Sequence, residues 1–198
     1  VASASARLDR QTVTAVMIAG AIWGLFNVGF AMILSFGPSL LVERGWTVAA
    51  AGSAISLALW ISAVSVPLGG VLADRTRRPL TLVVVGSFLL ALLLALLTRS
   101  SAVITIVVSL GLVSGQPAGP IMSLPARVLA PQTRAIGMGI FLTVFYAAMM
   151  LGPVIAGRLA SWTGSAAAAL DLGALVVLVC PLLVWLFERI AENRPQPA

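Results

Sequence analysis

Gly70-Val71-Leu72-Ala73-Asp74-Arg75-Thr76-Arg77-Arg78-Pro79-Leu80 packs four charges into the five positions from Asp74 to Arg78, between two long stretches that carry none. Upstream, 45–73 contains no Asp, Glu, Lys or Arg, and downstream 79–98 contains none either. The same alternation holds along the rest of the chain. Runs 12–42, 100–126 and 135–157 are free of ionisable acids and bases, and 159–187 contains only Asp171. Each run is long enough for the ~20 apolar residues that a helix needs to cross ~30 Å of hydrocarbon. The expectation is an all-α membrane protein of six spanning helices, over approximately 13–42, 48–72, 80–98, 102–123, 136–159 and 166–187. Segment 1–11 would precede the bundle, and 188–198 would follow it as a frayed tail.

Composition agrees. Sixty per cent of the residues are hydrophobic and 9% are charged, and the mean hydropathy is +1.10, far from the balance of a soluble domain. Spanning strands would alternate polar and apolar residues over ~10-residue segments, whereas these runs are apolar on every side. A helix also satisfies its own backbone hydrogen bonds, which lipid cannot do for it. The first run is too long for the ~7–15 residue core of a signal peptide. A start at Val1 rather than Met reads as a processed chain or a piece of a longer one.

All twelve basic residues are arginines. Arg7, Arg10, Arg75, Arg77, Arg78, Arg127, Arg134, Arg189 and Arg194 fall on one side of the six-span plan, and Arg44, Arg99 and Arg158 on the other. That bias predicts cytoplasmic termini, and a bacterial inner membrane is the expected setting. The net charge of +6 is then topological, since the arginines are spread among loops, and no nucleic-acid partner is expected.

Short connections such as Glu43-Arg44-Gly45-Trp46-Thr47 and Arg99-Ser100-Ser101 predict one compact bundle. Helix punctuation gathers at Gly37-Pro38, Pro67, Pro117 to Pro120 and Gly152-Pro153, where helices can bend or open a cavity. Gly111, Gly115 and Gly119 form a double G-x-x-x-G on the fourth span, which would let another backbone approach closely. Such a seam serves as static packing or as a sliding surface.

The pattern G-x-L-A-D-R-x-x-R at 70–78 resembles the loop between the second and third helices of a six-helix repeat of the major facilitator superfamily. The resemblance implies a half-transporter built of two inverted three-helix repeats. It also implies a conformational latch of Gly70, Asp74, Arg75 and Arg78, in which the acid caps a helix end and pairs with an arginine. A carboxylate near helix N-terminal amides contributes ~0.3–2 kcal/mol, comparable to the gaps between alternating states. Arg77 stands where the pattern has glycine. Gly139, Ala148, Gly152-Pro153 and Ala156-Gly157 are similar to the glycine-proline motif of the superfamily's fifth helix, with alanine at two glycine positions. Gly139, Gly152, Pro153 and Gly157 are accordingly expected in helix packing or gating. The stretches Phe26-Asn27-Val28-Gly29-Phe30 and Ser35-Phe36-Gly37-Pro38 are similar to the cyanate-permease-like branch. The weakened loop motif points to the C-terminal half, and a homodimeric half-transporter is the alternative.

The solute path is expected at the rare polar residues inside spans, because lipid-facing positions do not hold them. Asn27 in the first helix and Gln116 in the fourth offer donors and acceptors, with Trp60, Phe145 and Tyr146 as aromatic walls. Interhelical hydrogen bonds and core packing are the competing roles. Asp171 is a candidate to carry a coupling proton if it is desolvated, or an outer-interface residue if it is not. Arg158 could attract an anion or snorkel to headgroups. Partners are then a small solute, a small anion among the candidates, the lipid bilayer, and a second six-helix half or copy. With no His, a single Cys180 and no zinc-spaced cluster, neither an enzyme nor a metal or other cofactor is expected. A membrane scaffold would need the same bundle.

Overall fold

The computed structural model describes residues 8–192, and among them every regular element is helical. Helix α1 runs Arg10–Glu43, α2 Val48–Thr76, α3 Pro79–Leu97, α4 Val103–Gly115, α5 Ala118–Ser123, α6 Arg134–Thr163, α7 Ala167–Val177 and α8 Cys180–Glu192. Helices α4 with α5, and α7 with α8, make one span each, so the chain has six segments long and apolar enough to cross a membrane. Arg7 and Arg194, two members of the expected charge bias, lie outside the described residues. Residues 188–192, expected in a frayed tail, continue α8 instead.

Local chemistry fixes the ends. The Asp9 carboxylate accepts the Thr12 N–H at 3.3 Å and starts α1, and the Thr47 hydroxyl accepts the Ala50 N–H at 3.2 Å and starts α2. Gly164 closes α6 in the left-handed conformation (φ 69°) that glycine adopts without a Cβ clash.

Prolines act unequally. Pro38, Pro67 and Pro153 each sit inside an unbroken helix. The fourth span does break, at Gln116-Pro117, where Pro117 and Pro120 leave the carbonyls three to four residues back without a donor. The Ile121 N–H then bonds the Pro117 carbonyl at 2.9 Å and restarts the helix as α5. A second break at Leu178-Val179 has the same cause, because Pro181 withholds the N–H that Val177 would accept.

Two seams of small residues hold the bundle. The first joins α1 to α6: a Cβ on Gly24 would lie 2.7 Å from the Ala148 Cβ, and one on Gly152 would lie 2.7 Å from Val28. The second joins α2 to the fourth span: a Cβ on Gly111 would lie 2.8 Å from the Ala58 carbonyl, and one on Gly115 2.6 Å from that of Ser62. The Ser65 hydroxyl donates across this seam to the Leu112 carbonyl. Close backbone approach of this kind drives association where lipid supplies no hydrophobic contrast. The first helix of each three-helix repeat thus packs on the second helix of the other, the pairing that two inverted repeats require. Inside, Phe26, Met32, Ile33, Leu90, Leu94 and Phe141 are fully buried. The second and fifth spans are buried least, although they are as apolar as the first.

Candidate functional site

On the flank where α1 meets α6, the Asn27 Nδ2 donates to the Trp23 carbonyl at 2.8 Å. That bond ties the amide to its own helix, four residues back, and leaves Asn27 half-buried. Trp23 stacks on Phe145 with ring centroids 5.9 Å apart, and Phe145 meets Tyr146 edge-on at 4.8 Å. Tyr146 is 64% exposed. Asn27, Phe145 and Tyr146, singled out separately in the sequence, are therefore one group, with Trp23 as the member that sequence reasoning missed. Only its i−4 spacing from Asn27 could have flagged it.

Trp60 and Gln116 do not join this group. Trp60 lies on α2 and is 74% exposed. Gln116 sits at the helix break with its backbone pressed against Gly69, and among the described residues its side chain makes no hydrogen bond. Gly69 lies midway between the centre of α2 and its end, and Gln116 falls beside the centre of the fourth span, Val103–Arg127. Gln116 thus stays near mid-span as expected, at the break that Pro117 and Pro120 make in the helix.

The arginine-motif end carries Asp74, Arg75, Arg77 and Arg78, all exposed and, among the described residues, without a side-chain hydrogen bond or ion pair. Gly70 was expected to allow a close approach. The structure gives that part to Gly69, since a Cβ on Gly70 would meet nothing within 4 Å. The reason is rotational: one residue turns a helix by about 100°, so Gly69 meets the Gln116 backbone while Gly70 looks across open space toward Gly119. Gly70, Ala73, Asp74 and Arg77 instead border a cavity of about 480 Å³, closed on the far side by Gly119, Pro120 and Ser123. Arg77 has φ 54° and ψ 22° and donates its N–H to the Ala73 carbonyl. It is the left-handed C-cap of α2, a position that explains why glycine suits the pattern there.

Of the four residues expected in packing or gating on the fifth span, Gly152 meets Val28 and Gly157 would bring a Cβ within 3.7 Å of the Phe36 ring. Pro153 is half-buried inside α6. Gly139 lies on the exposed side of α6, and among the described residues a Cβ there would meet nothing within 4 Å.

The opposite end is cross-tied by residues to which the sequence gave no role or another one. Glu43 accepts the Ala166 N–H at 2.9 Å and the Ser165 hydroxyl at 3.1 Å, so the last residue of α1 caps the start of the sixth span. Arg44 donates to the carbonyls of Ser100, at 3.0 Å, and Thr98. Asp171, expected alone in an apolar run, pairs with Arg99 through two bonds of 2.8 and 3.1 Å and accepts the Thr98 hydroxyl at 2.9 Å. Its side chain is 37% exposed. That exposure fits the outer-interface alternative, since Asp171 is only one turn into α7, level with the end of α3. Beside it the Arg99 guanidinium is held further above its usual pKa, first by the hydrogen bond and then by the opposite charge. No cross-span signal in a single sequence announces these contacts.

Among the described residues no group of His, Cys, Asp and Glu could hold a metal ion, and Cys180 is buried at the break of the sixth span. Residues 12–198 match a family model described as Major Facilitator Superfamily. A comparison with curated proteins found no match. The match is to the superfamily as a whole and does not single out a branch.

Proposed function

The chain belongs to the Major Facilitator Superfamily, and from that premise we propose that it is one six-helix unit of a secondary active transporter, moving a small solute by alternating access. It is an integral, multi-pass membrane protein of a transporter family. The observation that carries the finer reading is the uncovered flank. The second and fifth spans are the least buried, and beside them a donor-acceptor amide and an aromatic group stand open. One wall of polar and aromatic residues cannot enclose a solute. A second six-helix unit, either the other half of a longer chain or another copy, completes the cavity over Asn27 and Tyr146, with Trp60 and Gln116 further along its rim. A small anion remains among the solutes of this reading.

Asp74 supports the same picture. An exposed carboxylate without a partner among the described residues suits a latch whose other side lies on the second unit, with Arg75 and Arg78 beside it. Both described ends of the chain lie on this arginine-rich side, which the positive-inside bias assigns to the cytoplasm of a bacterial inner membrane.

Single cysteines at Asn27 and Tyr146, in the intact protein in membrane vesicles, test the proposal. Cys180 is fully buried, so the native thiol gives little background. Transport predicts that a membrane-impermeant maleimide reaches both positions, from whichever side the cavity opens to. A scaffold predicts no reaction at either, and that result would remove the transport reading.

A further inference from the structure

We propose that the groove between the third and sixth spans is a binding site for one zwitterionic phospholipid of the phosphatidylethanolamine type. Its acyl chain would lie along the groove, and its headgroup would sit on the Arg99–Asp171 pair. The site is remote from the solute flank, and the proposal does not depend on which solute is carried.

The groove has a volume of about 440 Å³. One wall rises at helical spacing along α3 and ends at Arg99, and the other follows the same spacing from Asp171 along α7. Ala91, Ala95 and Ala174 make a shallow floor, while Phe88, Leu92, Leu175 and Leu178 stand exposed along the rims. From Phe88 to Arg99 the rise is about 16 Å at ~1.5 Å per residue. That is close to half of a ~30 Å hydrocarbon core, so the channel is as long as one leaflet is thick. Its apolar length begins where a headgroup would sit and stops near the bilayer middle. A water-soluble solute would have no use for such a channel, whereas an acyl chain fills it.

Charge selects the headgroup. Arg99 spends its Nη1 donors on the Ala95 carbonyl, the Thr98 hydroxyl and Asp171 Oδ1, and one Nη2 donor on Asp171 Oδ2. A guanidinium has five N–H donors. The Nε–H and the second Nη2–H remain, side by side on the outer edge, where a phosphate oxygen pair would fit. The Arg99 side chain is 62% exposed, so that edge is reachable. Asp171 Oδ1 is occupied twice, but Oδ2 accepts only one bond, which leaves an acceptor for a primary ammonium. A phosphate joined by two carbons to an ammonium matches both vacant positions. A net anionic headgroup would offer Asp171 nothing and would meet its charge.

The test uses the full chain in nanodiscs containing phosphatidylethanolamine with a photoactivatable diazirine midway along one acyl chain. Residues of 88–99 and 171–178 that line the groove should carry at least fivefold more crosslink than Ile104 and Leu112, the exposed apolar residues of α4. The same probe on phosphatidylglycerol should label the groove at least threefold less. Arg99→Gln should lower groove labelling about fivefold, with helicity and heat-induced aggregation checked against the parent protein. Even labelling across all lipid-facing segments, equal labelling by the two headgroups, or groove labelling unchanged in a folded Arg99→Gln protein would each overturn the proposal. So would chain-to-chain crosslinks through Leu92 or Leu175, which would make the occupant a second copy. The headgroup comparison needs no variant, so it decides the matter even if Arg99→Gln does not fold.

Discussion

At the end of the bundle that carries Glu43, Arg44 and Arg99, each of the three loops is tied to a neighbouring span by a charged side chain. At the other end Asp74, Arg75, Arg77 and Arg78 stand in solvent with no partner of that kind among the described residues. The same six helices are thus cross-tied by hydrogen-bonded charges at one end, whereas at the other the α2–α3 loop is left open and Arg127 lies over the Phe187 ring at 5.7 Å. Charges that brace a bundle meet helix termini and backbone carbonyls within the chain. Charges kept for another body stay hydrated until it arrives. The contrast separates what makes this unit rigid from what makes it a component.

Breaking the α2 seam toward the open end should have the largest effect. Gly69→Leu would drive a side chain into the backbone of Gln116, and a loss of about 3 kcal/mol is expected from overpacking. Reversible unfolding in mixed micelles would measure it. Gly70→Ala, one position on, should be neutral or gain roughly 0.5 kcal/mol, since it meets empty space and adds helix propensity. Equal losses at both positions would contradict the assignment of the close approach to Gly69.

At the braced end Glu43→Ala removes the acceptor for the first amide of the sixth span. A loss of about 1 kcal/mol in the same assay is expected, as for a helix cap. Arg77→Gly at the open end should act in the opposite sense. It relieves a side chain from the left-handed region, a gain of roughly 1 kcal/mol. A loss instead would mean that the Arg77 side chain has a partner that matters more than its backbone.

Asp74→Asn should move the stability of the isolated unit least, by under about 0.5 kcal/mol, while weakening its association with a second six-helix unit in a pull-down of separately tagged units. A stability loss comparable to that of Glu43→Ala would place the carboxylate in the bundle's own bracing. The Arg99–Asp171 tie should not respond to pH through its arginine. A raised folded-state pKa contributes stability below the unfolded value and loses it only as pH rises through the folded one, and for Arg99 both lie far above neutrality.

Much of this fold could be read from the sequence because lipid is an unforgiving solvent. Charge-free runs foretold six spanning helices, and Gly111 and Gly115 foretold a close backbone seam on the fourth, which Gly119, beyond the break, does not join. Which helix would meet that seam was not legible, for these helices are apolar all round and no amphipathic stripe points to a neighbour. The register of the glycine in the arginine motif was misread by one residue for the same reason. Proline content did not separate Pro38, Pro67 and Pro153, which leave their helices intact, from Pro117 and Pro181, which do not. The candidate site divided likewise. Asn27, Phe145 and Tyr146 were visible as oddities in apolar runs. Glu43 and Arg44 looked like ordinary loop charges, because their roles exist only across more than fifty residues of chain.

The contrast between the two ends is tested most directly by amide hydrogen exchange on the full chain in nanodiscs, loop by loop. The account predicts that 43–47, 98–102 and 163–171 exchange at least tenfold more slowly than 74–80 before any second unit is added. Equal exchange at the two ends, or faster exchange in the braced loops, would contradict it.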